Sequence, residues 1–219
     1  NEIDTSVQSR LTRLSVRRTL LFVLLTQVLY TVLYAFVLNP LYTHFASDVL
    51  YKDAWWLDLI GVAIDAEKLA RYMGFDEETA QKMYLAGALH DIGKVAVGNE
   101  ILEKPGRLTD EEFTTMKDHA SYTYYILSEI DGFEELRDWA AFHHERLDGT
   151  GYPFGKTAAD LNTQERMMAC VDIYQALTES RPYKQGMSHE KACGILKDMA
   201  DKGWIDAEIV SQVDSCFRI

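Results

Sequence analysis

Apolar residues recur at helical spacing along most of the chain, and the alternation typical of strands is almost absent. Proline and glycine interrupt this pattern at residues 39–40, 105–106 and 148–153. The predicted helices cover residues 6–38, 55–73, 76–90, a segment that opens at 109 and includes 119, 134–144, 163–180, 188–202 and 206–217. The fold class is therefore all-α, a helical bundle with a long N-terminal helix.

Several helix ends carry recognisable capping signals. Gly74 stands where a left-handed C-cap would end one helix, and Asp76 is placed to cap the next. Thr109 is followed three residues later by Glu112, which is the pattern of a capping box. These signals predict where two of the helices begin.

The N-terminal helix has the length and apolarity of a membrane span. Arginines from Arg10 to Arg18 occupy its early turns, and residues 19–38 contain no charge. Such a segment can cross a hydrocarbon core of about 30 Å, with the arginines on the cytoplasmic side. A single span of that orientation would place the rest of the chain outside the cell. The alternatives are a helix buried in a core or a homodimer contact, or an earlier span upstream of Asn1.

We divide the chain into an N-terminal helical segment, 1–50, and a second helical domain, 51–219. The start at Asn1 is compatible with an upstream sensor domain. The formal net charge of -12 argues against a polymeric nucleic-acid partner but allows a local basic pocket for a small phosphate compound. Three cysteines without CxxC spacing argue against a disulfide framework or a thiolate metal site and indicate reduced, cytosolic thiols.

Two short polar signatures interrupt the helical pattern. One is His90-Asp91-Ile92-Gly93-Lys94, and the other runs from His143-His144-Glu145 to Asp148-Gly149-Thr150-Gly151-Tyr152-Pro153. Imidazole and carboxylate together form the ligand set of catalytic divalent-metal sites. Taken alone, a His-Asp pair is more typical of an exposed surface than of a metal site. The same holds for His119 and for Asp172. Adjacent histidines diverge by about 100° on a helix, so both can face one metal only at a helix end or distortion.

Together these motifs resemble the HD-GYP family, a branch of the HD-domain metal-dependent phosphohydrolases. Further matches are residues 102–109, Met116-Lys117-Asp118-His119, and residues 171–178 leading to Arg181-Pro182-Tyr183-Lys184. The resemblance covers about residues 55–212. It implies a helical HD-domain bundle that hydrolyses cyclic di-GMP to linear pGpG, and in a further step to GMP.

The resemblance also implies a ligand set for two divalent metal ions. Carried over by position, Asp91 would bridge the ions and act in catalysis, with His90 and Asp172 on the first ion. The second ion would be held by three histidines, His119, His143 and His144. Iron or manganese is implied, with zinc, nickel or magnesium as alternatives; from the residues alone, imidazoles with carboxylates suit Fe, Mn or Zn better than Mg or Ca.

Substrate contacts follow from the same resemblance. Lys94 would contact the scissile phosphate, Arg181 and Lys184 would bind substrate phosphates, and Tyr152 would line the nucleotide pocket. Glu145 is expected to orient His144 or its loop rather than to bind metal. Gly149 and Gly151 are expected to provide positive φ and a close backbone approach.

One position departs from the family pattern. Where the family carries a further histidine on the helix that precedes His-Asp, this chain has Asp58, and the site of an occasional glutamate is Ala54. Asp58 is a candidate replacement ligand because carboxylates bind the same ions. A third metal ion is not expected.

Three functions remain open at this stage. The first is an active cyclic di-GMP phosphodiesterase, with its catalytic domain in the cytoplasm and free or attached to the inner membrane. The second is a degenerate domain that binds a cyclic dinucleotide or a partner protein without turnover. The third is a phosphodiesterase for another cyclic dinucleotide, because metal and phosphate contacts do not read the base.

Overall fold

The structure is a computed structural model that describes residues 55–102, 104–180 and 185–218, with side chains from Ile60 onward. Over these ranges the chain is helical. The α-helices are α1 (Trp55–Tyr72), α2 (Glu77–Leu89), α3 (Asn99–Leu102), α4 (Asp110–Ser128), α5 (Glu134–Ala141), α6 (Thr163–Thr178), α7 (His189–Asp201) and α8 (Ala207–Phe217), with a 3-10 helix at Ile92–Ala96. The described ranges contain no β-strand, only an isolated antiparallel bridge between Asp148 and Thr157. The prediction of an all-α fold is confirmed.

The helix caps that the sequence predicts are observed in the structure. The Asp76 carboxylate accepts a hydrogen bond from the Thr79 backbone amide at 2.8 Å, and Gly74 has a φ of +84°. Thr109 and Glu112 form a reciprocal capping box, with amide-to-side-chain distances of 2.7 and 3.2 Å. Each cap satisfies amides at a helix start that have no partner inside the helix.

Two local elements were not predicted. The 3-10 helix Ile92–Ala96 and the short helix α3 occupy the connection after the His-Asp pair. Gly93 explains the first of them, because a Cβ there would lie 2.0 Å from the His119 carbonyl oxygen. The connection can therefore run tightly against α4 only with glycine at this position.

The core is formed around α6, which packs against α1, α2, α5, α7 and α8. Met167 and Val171 on α6 are fully buried with Leu69 of α1, Leu196 of α7 and Val213 of α8. Complete burial of such side chains contributes roughly 1.5–3 kcal/mol each. This packing holds in place the helix that carries Asp172.

Some predictions lie outside the described residues: the N-terminal helix over 6–38 with its membrane or dimer role, the side chain of Asp58, and both Arg181 and Lys184. Of the helices in the described ranges, none is long and apolar enough to cross a bilayer. The three cysteines are free thiols, which agrees with the prediction of no disulfide framework.

Candidate metal centre

Residues from four helices meet around the carboxylate of Asp91. His90 is the C-cap of α2 and Asp91 is the N-cap of the 3-10 helix, while α4 brings His119 from the middle of its length. His143 and His144 follow the end of α5, whose C-cap is Phe142, and Asp172 comes from α6. The helix end that two adjacent histidines require is therefore present, three residues earlier than the predicted end at 144.

The two oxygens of Asp91 face different groups. Oδ2 lies 3.2 Å from His90 Nε2 and 2.5 Å from Lys94 Nζ. Oδ1 lies 3.2 Å from His119 Nε2 and 3.9 Å from His143 Nε2. A carboxylate divided in this way can share its two oxygens between two ions.

Asp172 has a similar arrangement on the other side of the cluster. Its Oδ1 lies 3.6 Å from His90 Nε2, and its Oδ2 lies 3.9 Å from His144 Nδ1. One ligand atom from each of His119, His143 and His144 can be chosen so that all lie within 4.8 Å of one another. The same holds for His90, Asp91 and His143.

Backbone contacts fix the orientation of three of the four histidines. Nδ1 of His90, His119 and His143 lies 2.6–2.7 Å from the carbonyl oxygen three residues earlier in the chain. Because a carbonyl oxygen can only accept, each Nδ1 must carry hydrogen. The rings of His119 and His143 are neutral and present a bare Nε2 to the centre, and the His90 ring does so once its second proton leaves. This is the tautomer that a metal-binding histidine needs.

These bare nitrogens make a cation the fitting occupant. Burial lowers the pKa of His119, and it lowers the pKa of His143 well below the ordinary value. Their Nε2 atoms lie only 3.5 Å apart, and the buried Oδ1 of Asp91 that they face has no hydrogen-bond partner. Lone pairs from three atoms thus converge without a proton, which a divalent metal ion would satisfy.

The pKa shifts of the other side chains in the centre show which of them are charged. Burial lowers the pKa of His144 to about 3, and neighbouring His119 adds to the effect. Burial opposes the charge on His90 as well, but Asp91 and Asp172 raise its pKa to about 9. Despite burial, His90 and Lys94 hold the pKa of Asp91 well below its ordinary value. The Asp91 carboxylate is therefore anionic.

Tyr152 forms one wall of the centre. Its ring centroid lies 4.7 Å from that of His144 and 6.4 Å from that of His119. Burial raises the pKa of the Tyr152 hydroxyl, which remains protonated. The Lys117 ammonium, to which the sequence analysis assigned no role, lies 5.8 Å from the centre of this ring.

Thr123 supports the centre and was missed by the sequence reasoning. It is completely buried on α4, one turn after His119. Its hydroxyl donates to the His90 carbonyl oxygen at 2.8 Å and accepts from the Gly93 amide at 3.0 Å. The sequence could have indicated Thr123 by its spacing, because a residue four positions after His119 lies on the same face of the helix.

Glu145 holds the loop that carries Tyr152. Its buried carboxylate accepts hydrogen bonds from the Phe154 amide at 2.7 Å and the Lys156 amide at 2.9 Å. Gly149 has a φ of +78°, and a Cβ on Gly151 would lie 2.3 Å from the Arg146 amide nitrogen. The loop role expected for Glu145 and the backbone requirements expected for both glycines are thus observed.

The sequence matches those of known proteins. A sequence model of the HD domain family matches residues 50–209. A 3'3'-cGAMP-specific phosphodiesterase of Vibrio cholerae is 37% identical over 148 residues, which cover 68% of this chain and 34% of that protein. A cyclic di-GMP phosphodiesterase of Pseudomonas aeruginosa is 40% identical over 143 residues, covering 64% of this chain and 34% of that protein. The chain thus spans about a third of the length of these curated relatives.

Solved structures share the fold. The HD domain of the L. monocytogenes phosphodiesterase PgpH in complex with cyclic-di-AMP aligns with a TM-score of 0.58 at 17% identity, over 81% of this chain and 92% of that one. An HDG"Y"P protein from Bdellovibrio bacteriovorus aligns with a TM-score of 0.57 at 18% identity, over 72% of this chain and 50% of that one. At these identities the likeness concerns the fold alone.

Proposed function

The chain belongs to the HD domain family, and on that premise we propose that it is a metal-dependent phosphodiesterase that hydrolyses cyclic di-GMP to linear pGpG. Further cleavage to GMP is part of the proposal. We expect the domain to act in the cytoplasm, where this messenger occurs.

The observation that carries the proposal is the division of the Asp91 carboxylate. One oxygen faces His90, and the other faces His119 and His143 with no hydrogen-bond partner of its own. We infer that Asp91 is shared by two ions, with His90 and Asp172 completing the first group. His119, His143 and His144 complete the second. Iron or manganese suits this mixture of imidazole and carboxylate, with zinc, nickel and magnesium to be compared.

The residues of the centre have separate tasks in this proposal. Bound divalent ions would supply Lewis acidity towards a phosphoryl oxygen and lower the pKa of a water molecule. Lys94, whose ammonium now pairs with Asp91 and is partly exposed, would donate to an oxygen of the scissile phosphate. Tyr152 would pack its ring against the nucleotide beside the histidines. Arg181 and Lys184 are proposed to hold phosphate groups of the substrate.

The names of the relatives support a cyclic dinucleotide of purines as the substrate. Among them are enzymes named for cyclic di-GMP and enzymes named for 3'3'-cGAMP, at similar identity. Both substrates have the same cyclic phosphodiester backbone, and the metal ligands would contact only that part. We propose cyclic di-GMP as the substrate and 3'3'-cGAMP as the alternative.

One feature of the sequence favours a second function. Asp58 stands where the HD-GYP pattern has histidine, so the first group of ligands has lost an imidazole. A weakened first site would convert the enzyme into a receptor that binds a cyclic dinucleotide, or a partner protein, without hydrolysis.

A single experiment separates the two functions. The chain is loaded anaerobically with Fe(II) or Mn(II), hydrolysis of cyclic di-GMP and 3'3'-cGAMP is followed in parallel, and bound metal is counted on the same sample. Hydrolysis with about two ions per chain would support the phosphodiesterase. Nucleotide binding without hydrolysis would support the receptor.

The Asp58→His variant extends the test. If Asp58 is a weaker ligand, histidine should increase bound metal or turnover. No change in either would remove Asp58 from the metal centre. Arg181→Ala should weaken nucleotide binding and leave bound metal unchanged, and an unchanged dissociation constant would remove Arg181 from the substrate site.

A further inference from the structure

A second cluster of potential ligands lies between α7 and α8. His189 and Cys193 are separated by one turn of α7, and Asp214 faces them from α8. His189 Nε2 lies 3.1 Å from Asp214 Oδ1, and Cys193 Sγ lies 3.7 Å from each nitrogen of the His189 ring. One ligand atom from each residue falls within 4.8 Å of the others. The sequence argued against a thiolate metal site because CxxC spacing is absent, but here the ligands come from two helices.

These separations suit one small tetrahedral ion. Zinc bonds of about 2.3 Å to sulfur and about 2.0–2.2 Å to nitrogen or oxygen place ligands about 3.3 Å apart for N···O and about 3.6 Å apart for S···N. The observed distances of 3.1 and 3.7 Å lie close to both values. We propose that His189, Cys193 and Asp214 form a zinc-binding site with water as a fourth ligand.

The surroundings orient the histidine for this role. The Tyr174 hydroxyl of α6 lies 3.0 Å from His189 Nδ1. With the Asp214 carboxylate anionic, the His189 Nε2–H donates to it and Nδ1 accepts from the Tyr174 hydroxyl. A bound ion would displace the hydrogen from Nε2, and Nδ1 could then carry it and donate to the Tyr174 oxygen.

Charge at the cluster is compatible with a cation. Hydrogen bonds from Arg218 and Lys197 hold the pKa of Asp214 well below its ordinary value, so the carboxylate is anionic. Both basic side chains are more than half exposed, at 67% and 58%, and such pairs contribute little stability. Arg218 and Lys197 can therefore give up an Asp214 carboxylate oxygen to an ion that binds this oxygen more strongly.

The thiol needs the ion in order to become a ligand. Burial raises the pKa of Cys193, and the Asp214 charge adds to this effect. A divalent ion stabilises the Cys193 thiolate over the thiol. Binding of the ion should therefore release one proton from the sulfur. His189 and Asp214 are each partly exposed, at 17% and 15%, which leaves a route for the ion to enter.

This cluster is separate from the metal centre around Asp91. Asp172 and Tyr174 on α6 belong to the two different sites, and residues two positions apart on a helix point about 200° from each other. The described ligands of the Asp91 centre are nitrogen and oxygen atoms only. A sulfur–metal signal would therefore report on Cys193 regardless of whether the chain hydrolyses a nucleotide.

Cobalt(II) absorption tests the site directly. The complete chain is stripped of metal with a chelator and titrated with Co(II) under anaerobic conditions. We expect a thiolate-to-cobalt charge-transfer band in the near ultraviolet, bleached by excess Zn²⁺. The band should be lost in Cys193→Ser and retained in Cys216→Ser, the matched control at a partly buried thiol outside the cluster. It should also persist in Asp91→Asn.

Further variants test whether a lost cobalt band reflects a lost ligand or a lost fold. Asp214→Asn keeps the thiol and should weaken cobalt binding at least about tenfold, and Tyr174→Phe should weaken it by about 10-fold to 100-fold. Circular dichroism of each variant checks the helical fold. Absence of the band, its survival in Cys193→Ser or its loss in Cys216→Ser would overturn the proposal. The cluster would then be a hydrogen-bond network between α7 and α8.

Discussion

His119 presents its bare Nε2 to Oδ1 of Asp91 at 3.2 Å, and no hydrogen bond satisfies that oxygen. The opposite nitrogen of the same ring is held by the Met116 carbonyl oxygen at 2.6 Å, so the ring cannot turn its N–H towards the carboxylate without losing this bond. Two acceptors are thus held face to face inside the protein. The backbone hydrogen bond thus holds the His119 nitrogen and the Asp91 oxygen in positions where a cation could bind both.

Replacing Asp91 with Asn should therefore remove the metal. The amide keeps the shape but lacks the charge and one acceptor oxygen, and we expect bound metal to fall to one ion or fewer per chain. Hydrolysis of a cyclic dinucleotide should fall by more than the roughly 100-fold typical of losing an outer hydrogen bond. Metal analysis and turnover on one sample test this, with the exposed Asp118→Asn as a matched control. Full turnover in Asp91→Asn would reject the proposed centre.

Thr123→Val should destabilise both the fold and the metal centre. Valine keeps the branched shape, but the buried His90 carbonyl and Gly93 amide lose their partner. We expect a loss of about 2–4 kcal/mol in the free energy of unfolding. Metal affinity should fall about 10-fold to 100-fold because His90 and Asp91 lose support. Denaturant unfolding and metal titration measure the two effects, and Thr123→Ser, which retains the hydroxyl, should show little of either.

Glu145→Gln should loosen the loop that carries Tyr152. One carboxylate oxygen becomes an amino group, which would face the Phe154 or Lys156 amide that now donates to it. We expect stability to fall by about 1–3 kcal/mol, with weaker nucleotide binding and unchanged bound metal. Calorimetry and metal counts distinguish this outcome from loss of a metal ligand. The exposed Glu129→Gln is the control.

Two glycines should respond in opposite directions to alanine. A Cβ on Gly151 would lie 2.3–2.6 Å from the backbone of Glu145 and Arg146, so Gly151→Ala should lower stability by about 1–3 kcal/mol. Gly194 on α7 has open space at its Cβ position, and Gly194→Ala should raise stability by about 0.5–1 kcal/mol. Thermal melting of both variants provides the comparison. Equal shifts would contradict the close approach at Gly151.

Asp65 should make stability depend on pH. Burial raises its pKa from 3.8 to about 6, so the native state binds this proton more tightly than the unfolded chain. Its contribution is fully present below about pH 4 and is lost as pH rises through 6. Asp65→Asn should therefore stabilise the protein by about 1–2 kcal/mol at pH 7, after allowance for partial exposure, and by almost nothing at pH 4. Unfolding curves at both pH values test this against the exposed Asp198→Asn.

Local sequence patterns were sufficient for much of the fold. The caps at Asp76 and Thr109 and the left-handed Gly74 depend on neighbouring residues only, and each appears as predicted. The 3-10 helix Ile92–Ala96 was missed because its cause is Gly93 meeting α4, which is about thirty positions away in the chain. Contacts of that range leave no periodic signal in a single sequence.

By itself, the sequence determined the helical class from its spacing and the HD family from its motifs. The residues that meet at Asp91 were identified only through what that family resemblance implies. The tertiary structure alone decided how these residues are arranged. It placed one Asp91 oxygen against His90 and the other against His119 and His143, with Thr123 behind them. It also brought Asp214 to the His189–Cys193 face of α7. The physical reason is that distances and lone-pair directions depend on how separate helices pack around α6, and packing joins residues that the chain order keeps apart.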